Sequence, residues 1–316
     1  MRPTAPAISL FALGTLLVLG GSAQPARAAA SVTLPSGFNE TRSTIPVTVE
    51  GVRATCVLDT GSSVMLVSPA LARAAGLPNQ GGTFEIAPDG HTYADRQTTI
   101  ARFGVAGYVM RNIPALVSAN LSGSEALCGY DFFTRFPVLI DRYHRSVTLF
   151  PPSSKLAQMH CLPIELTPHV PLATVEINGT WLNDIVLDSG MAGGGALWDG
   201  VRSHLRQPLI ANANYVTNQN AVRNGLACGA AAWIRYASGA PETSMPICTE
   251  PRRPDGYNGI IETNLATVHA MAVDYPHKRI CVDVADNAQT AAVPRSPTPA
   301  YNGAWARFNS LRPPLY

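Results

Sequence analysis

Charge is scarce in this sequence and almost evenly split: 23 lysines and arginines stand against 21 aspartates and glutamates, a net charge of +2 over 316 residues. The basic residues are scattered and form no run, which excludes a surface built to track nucleic-acid phosphates or to lie on anionic lipid. The six cysteines contain no C-x-x-C pair, so zinc spacing is missing and no metal or other cofactor is expected. Helical periodicity is also sparse. What fills the chain are short runs rich in Val, Ile, Thr and Tyr, as in STIPVTVEGVRATCVLD and RSVTLFPP, broken by Gly, Pro, Asn and Asp clusters. That is the text of strands and turns. Only two short helices are expected, over residues 68–76 and 130–136.

The chain opens with Arg2, an apolar run from Ile8 to Leu19, and the small residues Ala26, Ala28 and Ala30. This order is that of a secretory leader, expected to span residues 1–30, and the run is too short to cross a bilayer comfortably. A retained anchor is the alternative, but no stable membrane attachment is expected. An exported, periplasmic or extracellular chain with an even cysteine count favours disulfides. Sequence alone leaves fifteen connectivities open. The working expectation pairs Cys228 with Cys248, Cys161 with Cys281, and Cys56 with Cys128.

The remaining chain repeats itself. VLDTGSS at 57–63 is matched by IVLDSG at 185–190. ALCGYDFFTRFPVLIDRYHRSVTL at 126–149 is matched by GIIETNLATVHAMAVDYPHKRICV at 259–282. Gly129 precedes Asp141 by twelve positions and Glu262 precedes Asp274 by twelve, with Arg145 or Lys278 four positions beyond. Two lobes of one design follow, over residues 31–155 and 156–286, with a proline-rich tail at 287–316.

One aspartate in a D-T-G turn is ordinary turn chemistry, because Asp bonds nearby backbone and Gly relaxes it. Two such aspartates from related lobes can meet at a pseudo-twofold axis. Like charges at close range cannot both ionise cheaply, so a single proton is shared between them. The ionised acid can then draw a proton from water while the protonated one polarises a carbonyl. Gly61 and Gly190 let the backbone approach each acid, and Thr60 and Ser189 can bond across the axis. Ser62 offers a further hydroxyl in the first lobe.

With these residues in view, the sequence resembles the aspartic peptidases, with pepsin-like traits in D-T-G-S-S at 59–63 and retropepsin-like traits in the later strands. The resemblance spans residues 45–283. It implies an all-β, bilobal β-barrel fold built from two internal repeats, with Asp59 and Asp188 as the catalytic pair. It implies hydrolysis of a polypeptide held in the interlobe cleft. Two lobes in one chain make dimerisation unnecessary, so a monomer is expected. The run FEIAPDGHTYADRQTTI resembles the family's flap hairpin, with its tip at Pro88-Asp89-Gly90 and with His91 or Tyr93 as candidates to face the cleft.

Two residues depart from the family's pattern. Glu262 stands where a glycine usually packs beneath the catalytic loop, and its side chain must find room. Met191 replaces the second lobe's hydroxyl. A chain impaired in this way would serve instead as a peptide- or inhibitor-binding module. A subtilisin-like triad of Asp, His91 and Ser244 is a third reading. It is disfavoured because Ser244 is followed by PICTEPRRPDG, which cannot start that fold's helix, and because a triad leaves the repeated acid motif unexplained.

Overall fold

The structure, a computed structural model, describes residues 30–39, 42–86, 92–154, 160–166, 169–191, 194–211, 227–236, 243–250, 257–263 and 268–284. The leader expected at 1–30, except Ala30, and the tail at 287–316 lie outside the described residues, as does the lobe boundary at 155–159.

Burial patterns show how the strands that carry the two acids form. Along Val52–Leu58 the exposed positions Arg53 and Thr55 alternate with buried Ala54 and Cys56, and the run then becomes wholly buried over Cys56–Leu58. Thr180–Asp188 does the same, passing from exposed Asn183 and Asp184 to wholly buried Ile185–Asp188. Each buried end pairs in parallel with a second strand, Glu125–Cys128 in the first lobe and Gly259–Glu262 in the second. Parallel strands covered on both faces take continuous apolar runs, which accounts for the two apolar residues before each Asp. Each acid-bearing strand enters through a hairpin whose two turn residues have positive φ, Glu50 and Gly51 (49° and 85°) and Asn178 and Gly179 (46° and 80°). Such φ values are those of the tight turns that match strand twist.

The two lobes share one topology. Side by side, the first lobe's strands are Gly37–Asn39, Arg42–Val49, Val52–Leu58, Glu125–Cys128, Met65–Val67, Tyr108–Val117, Thr92–Val105 and Gly82–Ile86. The second lobe's are Glu165–Leu166, Pro171–Ile177, Thr180–Asp188, Gly259–Glu262, Gly195–Trp198, Thr243–Glu250, Ala227–Arg235 and Ile210–Ala211. In each lobe the second strand also pairs with the seventh, curling the sheet toward a barrel.

A third sheet is shared between the lobes: Val32–Pro35, Ser146–Leu149, Val138–Asp141, Val268–Asp274, Arg279–Val284 and His160–Pro163. Its central pairing joins the lobes directly, with Ile140 opposite Met271. The basic residues noted in both repeats, Arg145 and Lys278, occupy its two hairpin turns in left-handed conformation, with φ of 52° and 51°. One buried apolar cluster runs through both lobes, from Ile45 and Phe103 to Ile247 and Met271. The fold is therefore all-β and bilobal, with few short helices.

The helix expected at 68–76 is Pro69–Ala74, begun by the Ser68 hydroxyl accepting the Leu71 amide at 3.0 Å and by Pro69 in its first turn. The one expected at 130–136 is Tyr130–Phe133. A short helix at Asp199–Arg202 was not read from the sequence. Disulfides join Cys56 to Cys128 and Cys161 to Cys281. Cys248 is also disulfide-bonded, and its backbone lies directly opposite Cys228. Among the described residues no helix is long and apolar enough to cross a membrane.

Candidate active site

The two acid-bearing strands end at the junction of the lobes, and their loops interlock. The Thr60 hydroxyl donates to the Leu187 carbonyl at 2.6 Å and accepts the Ser189 amide at 2.9 Å. Reciprocally, the Ser189 hydroxyl donates to the Leu58 carbonyl at 2.9 Å and accepts the Thr60 amide at 3.0 Å. Each lobe thus satisfies the other's backbone where strand pairing has ended, and a slip of either loop would leave buried polar groups unpaired.

Neither Gly61 nor Gly190 is present for an unusual φ; space is what each provides. A Cβ at Gly61 would lie 2.5 Å from the carboxyl carbon of Asp188, and one at Gly190 would lie 2.0 Å from that of Asp59. Each glycine therefore lets the opposite lobe's carboxylate approach its backbone, which brings the two acids together across the axis. Both aspartates are buried.

Their surroundings differ. Asp188 accepts the Gly190 amide at 2.7 Å and the Met191 amide at 3.1 Å, both on Oδ1. Among the described residues neither Asp59 oxygen accepts a well-formed hydrogen bond, although the Gly61 amide and the Arg42 charge favour its ionised form slightly. Burial, the Asp188 charge and a proton-mediated contact with Asp188 push the Asp59 carboxyl well above the usual carboxylate range. Burial raises Asp188 as well, but its amide donors and Asp59 work against the rise. The two amide donors thus favour the anion of the pair on Asp188 over Asp59. A buried carboxylate keeps its charge where backbone donors compensate the lost water, and the second lobe supplies those donors.

The Ser62 hydroxyl does not face the dyad; it donates to the Val64 carbonyl at 2.8 Å. Met191 therefore forfeits nothing the first lobe uses, and contributes its amide instead. Glu262 does find room. It is buried, its Oε2 accepts the Gly194 amide at 2.7 Å, and its own amide donates to the Gly194 carbonyl at 2.8 Å.

Of the flap candidates, Tyr93 lies on Thr92–Val105, whose backbone pairs with Gly82–Ile86 as a hairpin and sets Tyr93 opposite Glu85. His91 and the hairpin tip at 87–91 lie outside the described residues, as does the Tyr93 side chain. Among the described residues no group of three or more His, Cys, Asp or Glu could hold a metal.

Sequence reasoning missed Tyr275. Buried under the loops, it donates its hydroxyl to the Thr60 carbonyl at 3.3 Å, and burial together with both dyad charges pushes its pKa up. It follows Asp274, whose buried carboxylate holds His277 at 2.7 Å and Arg279 at 2.8 Å. The Asp–His pair recurs in the first repeat, where Asp141 and His144 pair at 2.7 Å, but Tyr275 has no counterpart there because Arg142 takes its place.

Two lobes of equal topology, each presenting an aspartate to the other's glycine across a reciprocal hydroxyl grip, are what the resemblance to aspartic peptidases implies. Over residues 45–135 the chain matches the family described as "gag-polyprotein putative aspartyl protease". Among solved structures it is similar to a retropepsin-like aspartic protease from Rickettsia conorii, at 18% identity, covering 38% of this chain and 88% of that one, with a TM-score of 0.30. None of the curated proteins compared with the chain matches it. The first lobe thus bears out the retropepsin-type resemblance, and that family supports an aspartic peptidase.

Proposed function

We propose that the protein is an exported aspartic endopeptidase that hydrolyses peptide bonds with a water activated between Asp59 and Asp188. The observation that carries this reading is the unequal dyad, in which Asp188 has two amide donors and Asp59 has a strongly raised pKa. In such a pair the anion takes a proton from water, and the protonated acid donates toward the carbonyl oxygen of the bond under attack. The products are a carboxylic acid and an amine, and no covalent intermediate is needed.

The substrate is an extended polypeptide lying between the lobes, its backbone paired with the hairpin of Gly82–Ile86 and Thr92–Val105. Action outside the cytoplasm is supported by the leader-like N-terminus and by the disulfides. Two lobes in one chain supply both acids, so the reading needs only a monomer. The binding-module alternative loses its main support, since Glu262 is accommodated and Met191 donates to Asp188.

The test is incubation of the purified protein, Asp59→Asn and Asp188→Asn with a mixture of unfolded proteins between pH 3 and 8, with new termini identified by mass spectrometry. Internal cleavage by the wild type and none by either variant is expected. Folded wild type that binds peptides without cutting them would return the binding module.

A further inference from the structure

Position 262 is where the two lobes cease to be copies. In the first lobe its equivalent is Gly129, and a Cβ there would lie 2.2 Å from the Val64 carbonyl oxygen and 2.7 Å from that of Ser62. No side chain fits. In the second lobe the loop is longer: five positions separate Asp59 from Val64, and six separate Asp188 from the matching Gly194. Gly194 has a φ of +119°, a conformation that side chains rarely adopt, and a Cβ on it would meet the Pro246 carbonyl at 2.1 Å. This conformation presents the Gly194 amide to the Glu262 carboxylate at 2.7 Å, while the backbone bond from Glu262 N to Gly194 O is kept at 2.8 Å. The extra residue, the glycine and the glutamate therefore form one matched change. The Tyr236 hydroxyl closes the arrangement by donating to the Glu262 carbonyl at 3.0 Å.

Glu262 also interacts electrostatically with a residue of the other lobe. Arg142, half-buried just after Val138–Asp141, feels the Glu262 charge, and its amide donates to the His269 carbonyl at 2.8 Å. Arg142 follows Asp141 as Tyr275 follows Asp274. Tyr275 thus bonds the opposite lobe's loop at Thr60, and Arg142 lies within electrostatic range of Glu262.

We propose that Glu262 is a positioning residue for Asp188, clamping the second catalytic loop through the Gly194 amide. Its effect on turnover rests on the peptidase reading; its effect on the loop does not.

The test compares Glu262→Ala, Glu262→Asp and Glu262→Gln by amide hydrogen exchange and by steady-state kinetics. Gln keeps an acceptor for Gly194, whereas Ala does not. Exchange across Asp188–Trp198 should quicken about tenfold or more in Glu262→Ala, with the rest of the second lobe unchanged, and stay within about threefold of wild type in Glu262→Gln. Turnover should fall about 10- to 100-fold in Glu262→Ala at nearly constant KM, with Glu262→Gln losing under about threefold. Glu262→Asp, whose shorter side chain falls short of the Gly194 amide, should fall between the two and stands in if Glu262→Ala does not fold. Equal exchange in all variants, or loosening of the whole second lobe, would overturn the clamp. If the wild type proves inactive, the peptidase reading fails and exchange alone decides the clamp.

Discussion

Thr60 and Ser189 take part in four buried hydrogen bonds, two with each other and one each to the Leu187 and Leu58 carbonyls, so the grip is the point of the design most sensitive to a single substitution. Thr60→Val keeps the shape but removes the hydroxyl that bonds the Leu187 carbonyl and the Ser189 amide, and should cost about 2–5 kcal/mol in denaturant unfolding. Gly61→Ala tests geometry rather than bonding. Its new methyl falls on Asp188, so turnover should drop about 100-fold while unfolding free energy falls by only about 1–3 kcal/mol. The acids, glycines and hydroxyls of the grip were legible in D-T-G and D-S-G because the chemistry admits few other residues there. The partner of Ser62 was not, since a hydroxyl's direction follows from the loop's path. Nor was the fit of Glu262, which depends on a longer loop and on the φ of Gly194, neither of which residue 262 alone reveals.

Strands and hairpins were readable from alternation and turn residues, and their doubling from the matched segments. The order of strands within each lobe was not, because parallel neighbours such as Val52–Leu58 and Glu125–Cys128 are brought together by the intervening chain, and local pattern does not encode that. The shared sheet was hidden for the same reason, since nothing in Val138–Asp141 names Val268–Asp274 as its partner. At this scale Cys161–Cys281 ties the edge strand His160–Pro163 to Arg279–Val284 across 120 residues of sequence. Replacing both cysteines with serine should lower unfolding free energy by about 2–5 kcal/mol, read from denaturant midpoints against the wild type.

Across the whole molecule, the dyad links stability to pH. Asp59 holds its proton more tightly folded than unfolded, so folding takes up a proton between the ordinary value of 3.8 and the raised one. That contribution is complete below the ordinary value and is lost as pH rises through the window. Asp59→Asn lacks it, so the variant should gain in Tm relative to wild type as pH rises from 4 to 7; parallel Tm curves would refute the raised pKa. On the proposed mechanism the same proton governs catalysis, because its loss removes the acid that polarises the carbonyl. The most direct test of the account is the pH dependence of kcat/KM on an extended peptide, from pH 3 to 8, for the wild type, Asp59→Asn and Asp188→Asn. A rate that falls as pH rises through the raised value, and that is lost in both variants, is the predicted result. A rate that keeps climbing through neutral pH, or that survives either substitution, would contradict a shared-proton dyad.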